Sequence, residues 1–146
     1  MKILQGIDLL KTERIQKVYL KFGNRFLSRI FSLKEIEQIK DKNKYKYSKK
    51  IASKFSAKEA TSKAIGTGFS EGVKFKDIEI LNKENGKPFV TLHGNASRKI
   101  DEILSSSVSI SDEDDLVITI VTFIVKNWES KLDRFIYFFL KTFFKI

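Results

Sequence analysis

The side chains best suited to chemistry in this 146-residue chain sit in one stretch, Phe55 to Gly68, and at one distant aspartate. The stretch reads as the end of a helix. Glu59 and Lys63 lie four residues apart and share one face. Ala57, Ala60 and Ala64 keep another face thin enough for close packing. Gly66 and Gly68 then stop the helix and are expected to leave bare backbone beside the charged pair. A carboxylate and an ammonium next to free N–H groups can hold a metal ion and a phosphate together. The plainer alternative is a surface Glu–Lys pair ahead of a glycine cap. Asp8 closes a first strand in Gly6-Ile7-Asp8-Leu9. Its apolar neighbours oblige the carboxylate to reach the surface or find a cation. It reads either as a capping or salt-bridging residue, or as the partner of Glu59 around Mg2+. Magnesium takes a few carboxylate oxygens and completes its shell with water and phosphate oxygens. Two carboxylates from separate elements and a nearby Lys suit pyrophosphate chemistry, in which developing charge must be offset.

These side chains need elements to hold them. Lys2 to Leu10 reads as a strand. Thr12 is placed to cap a helix through Ile15, Val18 and Tyr19 that continues past a bend at Gly23. Ser32-Leu33-Lys34-Glu35 is a capping box opening a short helix. Residues 40–50 are polar and lysine-rich, a solvated loop or helix start. The longest helix spans about Tyr47 to Ala64. Asp77 to Leu81 and Pro88 to Leu92 form a hairpin around Asn85-Gly86. A helix is expected from Gly94 to about Leu104, then a strand from Ser107 to Ser111 with Val108 and Ile110 on one side. Asp112 to Asp115 make an acidic turn. Leu116 to Val125 is an apolar run suited to a central strand. One α+β domain follows, a small antiparallel sheet packed with a long central helix.

Composition narrows the chemistry. There is no Cys, which removes disulfides, thiolate nucleophiles and zinc–sulfur sites and fits a reducing compartment. The single His93 excludes a multi-histidine metal site within one chain and reads as structural. Ile3-Leu4 is broken at once by Gln5, Gly6 and Asp8, unlike a secretory leader, and no run approaches a membrane span. A cytoplasmic protein is expected. The net charge of +10 favours an acidic partner.

Five segments occur in order: Gly6-Ile7-Asp8-Leu9 with Arg14-Ile15; Phe55-x-Ala57-Lys58-Glu59-Ala60-x-x-Lys63-Ala64-x-Gly66-Thr67-Gly68; Asp77-Ile78-Glu79-Ile80; Asn85-Gly86-Lys87-Pro88; and Val108-Ser109-Ile110-Ser111. From about residue 2 to residue 125 this pattern resembles the short holo-acyl-carrier-protein synthases, a branch of the phosphopantetheinyl transferases. The resemblance implies the corresponding fold. It also implies transfer of the phosphopantetheine arm of coenzyme A to a serine of apo-acyl-carrier protein, releasing adenosine 3′,5′-bisphosphate, in support of fatty acid biosynthesis. Asp8 and Glu59 would be the Mg2+ ligands, and Lys63 would contact the phosphates and assist the reaction. Glu59 or a metal-bound water are the candidates to deprotonate the serine. Lys44, Lys46, Lys63, Gly66, Lys87 and Ser111 would contact coenzyme A. Arg14, Lys21, Arg25 and Arg29, on the first helices, would dock the acidic carrier. The resemblance further implies a homotrimer with active sites between subunits.

The chain departs from the family pattern at two places. Asp112 stands where the family often has His, adding negative charge near a phosphate ligand. Lys54 stands where an Arg is common, exchanging a bidentate fork for a point charge. Residues 127–146 lie beyond the family's usual end. Trp128, Leu132, Phe135, Ile136, Phe139, Phe143 and Phe144 fall mostly at helical spacing there, giving an amphipathic extension that packs on the domain, joins a subunit interface or lies on a membrane. The chain therefore divides into residues 1–126, the transferase domain, and residues 127–146. The competing reading is a small basic RNA-binding module, although no RNP-like or Gly-x-x-Gly clamp motif is present.

Overall fold

Alternating strand burial and a thin alanine face on one long helix set the architecture. The computed structural model describes residues 1–126 and 135–136. The chain runs through β1 (Lys2–Lys11), α1 (Thr12–Ile30), α2 (Leu33–Ile39) and α3 (Lys44–Ile65). It continues through a 3-10 turn (Phe75–Asp77), β2 (Ile78–Asn82), β3 (Pro88–Leu92), α4 (Gly94–Arg98), β4 (Ile103–Glu113) and β5 (Leu116–Val125). Two antiparallel sheets result, one in the order β1-β5-β4 and a separate β2-β3 hairpin, so the fold is α+β.

The apolar run Leu116–Val125 is the central strand, as its composition predicts. Register places Leu4, Gly6, Asp8 and Leu10 of β1 opposite Phe123, Val121, Thr119 and Val117 of β5. That face packs under α3. The other face carries Ile3, Ile7 and Leu9 beside Leu116, Ile118 and Ile120, and all six are exposed.

The seat of α3 on the sheet depends on small residues. Ala57 and Ala60 are fully buried and Ala64 nearly so. A Cβ on Gly6 would lie 2.0 Å from the Ala60 carbonyl oxygen and 2.5 Å from the Ala64 nitrogen. Only glycine lets strand and helix backbones come this close.

The bend expected at Gly23 is present. This residue adopts φ 51°, ψ −133° inside α1, and open space surrounds its Cβ position. Glycine is there for its backbone conformation, a region essentially closed to other residues. The capping box at Ser32 also forms. Its hydroxyl accepts from the Glu35 N–H at 3.2 Å, and the Glu35 carboxylate accepts from the Ser32 N–H at 2.8 Å.

Three expectations are corrected. Thr12 does not cap α1: Lys11 is the N-cap residue, no side chain caps it, and the buried Thr12 hydroxyl has no hydrogen-bond partner. Its backbone N–H donates instead to the Asp115 carbonyl at 2.6 Å, tying the helix start to the β4–β5 turn. The helix from Gly94 ends at Arg98, and Ile103 and Leu104 belong to β4: Ile103 pairs with Val125 of β5, and Leu104 falls at the irregularity before Ser105 resumes the pairing. The long helix starts at Lys44, where the Asn43 side chain accepts from the N–H groups of Tyr45 and Lys46. The tail expectation lies outside the described residues, apart from the exposed Phe135 and Ile136.

Candidate active site

Lys58 and Glu59 are neighbours on α3, about 100° apart around the helix, and their environments are opposite. Lys58 points inward and is fully buried. Its ammonium donates to Glu35 Oε2 at 2.9 Å, to the Phe75 carbonyl at 3.0 Å and to the Ile78 carbonyl. Burial pulls its pKa down, and the Glu35 carboxylate opposes that. Glu35 also accepts from the Ile80 N–H at 2.9 Å through Oε1. One buried ion pair thus binds α2, α3 and the first strand of the hairpin together. Lys58 has no chemical role in the residue pattern around Glu59 and Lys63. A signal existed: Ile51, Lys54, Lys58 and Thr61 follow the spacing of an inward helix stripe, and all four are buried.

Glu59 turns the other way, toward β1. Burial is the larger cause holding its carboxyl above the ordinary value, and the charge of Asp8 adds to it; Lys63 and Arg14 act against both. Lys63 Nζ lies 2.8 Å from Asp8 Oδ1, and the Asp8 side chain is mostly covered. Asp8 therefore does not cap a helix. It meets Glu59 and Lys63 because Gly6, two residues earlier, lets β1 rest against Ala60 and Ala64. Arg14 joins this cluster electrostatically from the first turn of α1.

Among the described residues no group of three or more His, Cys, Asp or Glu side chains is placed to hold a metal. Two carboxylates side by side are what magnesium uses when phosphate and water oxygens fill the remaining positions. Asp8 and Glu59 fit that requirement. The sole histidine takes no part: His93 Nε2 is 3.5 Å from Glu79 Oε2, across the hairpin.

The expected free N–H groups at the end of α3 are not free. Gly66 N–H donates to the Ser62 and Lys63 carbonyls, each at 3.1 Å, and Gly68 N–H donates to Ser62 at 3.2 Å. The glycines close the helix with these bonds, so Gly66 offers a phosphate little beyond an open approach.

A second feature lies toward the other end of α3. A groove of about 740 Å³ runs between α3, the β2–β3 turn and the end of β4, and Lys46, Lys49, Lys54, Lys83, Gly86 and Asp112 are among its walls. Lys46, a coenzyme A candidate by the resemblance, lines this groove. Lys87 is exposed on the same turn, between the lining residues Gly86 and Pro88. Lys44 lines a smaller cavity of about 340 Å³ with Tyr19 and Tyr47. Ser111 pairs with Ile118 and shares the open sheet face, opposite Asp112. Lys46 and Lys63 are separated by about 25 Å of helix axis, so one chain does not bring its coenzyme A candidates together. Arg14, Lys21, Arg25 and Arg29 are all exposed on α1, with Gly23 dividing them into two pairs.

An acidic pair with an ammonium thus sits on the α3–β1 seat, and a basic groove lies toward the other end of α3. A model of the 4′-phosphopantetheinyl transferase superfamily matches residues 5–121, and the chain belongs to that family, a family of transferases. The holo-[acyl-carrier-protein] synthase of Anaplasma phagocytophilum is 43% identical over 118 residues, covering 80% of this chain and 93% of the relative. That of Aliivibrio fischeri is 40% identical over 124 residues, covering 81% and 94%. Among solved structures, the Helicobacter pylori holo-[acyl-carrier-protein] synthase in complex with coenzyme A matches with a TM-score of 0.72 and 34% identity, over 83% of this chain and all of that one. The Bacillus anthracis holo-(acyl-carrier-protein) synthase matches with 0.70 and 31%, over 84% and 96%. Family membership sets aside the expectation of a non-enzymatic RNA-binding module.

Proposed function

We propose that this chain transfers the 4′-phosphopantetheine group of coenzyme A to a serine of apo-acyl-carrier protein, with Mg2+ as the cofactor, in support of fatty acid biosynthesis in the cytoplasm. The observation that carries this reading is the meeting of Asp8, Glu59 and Lys63 across the α3–β1 seat. The relatives' names supply the two substrates.

In the reaction the serine oxygen attacks the phosphorus that bears the pantetheine arm. A new P–O bond forms, the diphosphate P–O bond breaks, and adenosine 3′,5′-bisphosphate leaves with the electron pair. Mg2+, held by Asp8 and Glu59, would neutralise charge on the diphosphate oxygens. Glu59 or a metal-bound water would take the serine proton; without a metal, burial and then Asp8 hold the Glu59 carboxyl above its ordinary value. Lys63 stands 2.8 Å from Asp8 and half exposed, free to swing toward the departing phosphate and offset its charge. Arg14, at the mouth of the cluster, and Lys21, Arg25 and Arg29 along α1 suit an acidic carrier, speeding association more than deepening affinity.

The assembly belongs to the same reading. Lys46 and Lys63 stand about 25 Å apart along the α3 axis, and the apolar open sheet face invites burial. We read the enzyme as a homotrimer whose site combines the acidic pair of one subunit with the basic groove of the next. Residues 1–126 form the transferase domain and residues 127–146 an amphipathic extension. Among the described residues no helix is long and apolar enough to cross a membrane.

The test is mass spectrometry of apo-carrier protein incubated with coenzyme A, Mg2+ and the enzyme. The phosphopantetheine increment is expected. Asp8→Asn and Glu59→Gln should each lower turnover about a hundredfold or more, with the thermal midpoint retained. Full activity in both variants would overturn the metal assignment. Lys63→Met should depress kcat far more than it raises KM for coenzyme A.

A further inference from the structure

The basic groove carries its own counter-anion. Five of its lining side chains are lysines, at 46, 49, 50, 54 and 83. Lys54 is engaged by the protein, donating to the Ile80 carbonyl at 2.7 Å, Gln38 Oε1 at 3.0 Å and Asn82 Oδ1 at 3.2 Å. Lys50 reaches Asp41 at 3.2 Å and the Lys40 carbonyl at 3.3 Å. Lys49 differs, because its partner in the groove lining is a carboxylate rather than a neutral group. Its Nζ lies 2.5 Å from Asp112 Oδ2 and 5.0 Å from the centre of the Tyr45 ring. The Tyr45 hydroxyl is tied to the Asp114 carbonyl at 3.2 Å.

Asp112 comes from β4, opposite α3. It pairs with Val117, on the sheet side of Val108 and Ile110, so its carboxylate faces the helix. The Lys49–Asp112 contact thus spans the groove from wall to wall. Glu84 is the other acid lining it. A phosphate entering here meets an ammonium already neutralised and a carboxylate beside it. The pair is partly exposed on both sides, so it can open: the side chains keep 23% and 42% of their accessible surface. The hydrogen bonds to Asp112 and Tyr45 outweigh the opposing desolvation and leave the Lys49 pKa raised to about 12. Lys49 therefore keeps its charge, and the contest is between two anions for one cation.

We propose that Asp112 is an internal competitor for Lys49, weakening the groove's hold on the phosphorylated nucleotide end of its ligand and hastening release of the nucleotide bisphosphate product. The proposal rests on the reading that this groove receives that end of coenzyme A. An exposed pair of this kind is worth at most about 1 kcal/mol, enough to change affinity severalfold without deciding whether the protein folds.

The experiment is calorimetric titration of the full-length protein with adenosine 3′,5′-bisphosphate at low and high salt. Asp112→Asn keeps the shape and removes the charge, and should tighten binding roughly three- to fivefold at low salt. The gain should shrink as salt screens it. Lys49→Met should weaken binding, and adding Asp112→Asn to it should recover less than in the native background. No gain, or a loss, in Asp112→Asn would overturn the competition. Lys46→Met and Lys83→Met separate this from the reading beneath it. If both leave affinity untouched, the nucleotide does not use the groove and the proposal falls with it. If they weaken binding while Asp112→Asn changes nothing, the groove stands and only the competition is lost.

Discussion

Lys58 and Glu59 show how adjacent residues of one motif divide structural and chemical work. Glu59 faces Asp8 near solvent. Lys58 faces Glu35 in the interior, with both side chains fully covered. A buried ion pair is stabilised by its mutual attraction and hydrogen bonds only while both partners remain. Lys58→Met should therefore lower unfolding free energy by about 3–5 kcal/mol, read from urea denaturation, because it strands the Glu35 carboxylate. Adding Glu35→Gln should recover part of that loss. A cost below about 1 kcal/mol in the single variant would show that the pair does not hold α2 and the hairpin to α3.

At the scale of elements, the α3–β1 contact couples fold to chemistry. Gly6→Ala would push a methyl into the Ala60 carbonyl. Backbone must move, at a cost of roughly 1–3 kcal/mol. That same movement shifts Asp8 from Glu59, so activity should fall at least tenfold even at temperatures where the variant is fully folded. Retained activity in a folded Gly6→Ala protein would detach the glycine from the site. Much of this architecture was legible beforehand. The Ser32 capping box, the Gly23 bend, the Asn85-Gly86 hairpin and the apolar β5 run are local signals, and each is present where the residues place it. What failed depended on distant partners. Ile103 and Leu104 have helical spacing with Ile100, yet Ile103 pairs with Val125 of β5 and the strand carries Leu104 with it. Thr12 is a good cap residue by type, but burial at the β4–β5 turn leaves its hydroxyl unbonded. Asp8, Glu59 and Lys63 were read together from their chemistry, whereas the Lys58–Glu35 pair needs knowledge of which helix faces meet. The N–H groups of Gly66 and Gly68, expected to be open, are closed by the helix end itself.

For the whole molecule, the open sheet face matters most. Ile7 and Leu9 keep 53% and 61% of their accessible surface in the single chain, beside a row of β5 side chains of the same kind. A contiguous apolar face of this sort marks an interaction surface. If the proposed trimer forms through this face, Ile120→Lys, at the centre of β5 and opposite Ile7 in register, should shift sedimentation toward monomer and abolish turnover, although Asp8 and Glu59 remain folded in place. A native sedimentation coefficient would remove this face from the assembly. On the proposed function, the net charge of +10 should also raise encounter rates with an acidic carrier in a salt-dependent way.

The 22 residues of α3 carry the acidic cluster near one end and the basic groove toward the other. In the proposed ring, each subunit lends half of its equipment to one neighbour and half to the other. Two impaired proteins, one defective at Glu59 and one at Lys46 and Lys49, should then gain catalysis over either alone when unfolded together and renatured as a mixture. Hybrid rings would contain some junctions built wholly from undamaged halves, a form of intersubunit complementation that a self-contained monomer could never display.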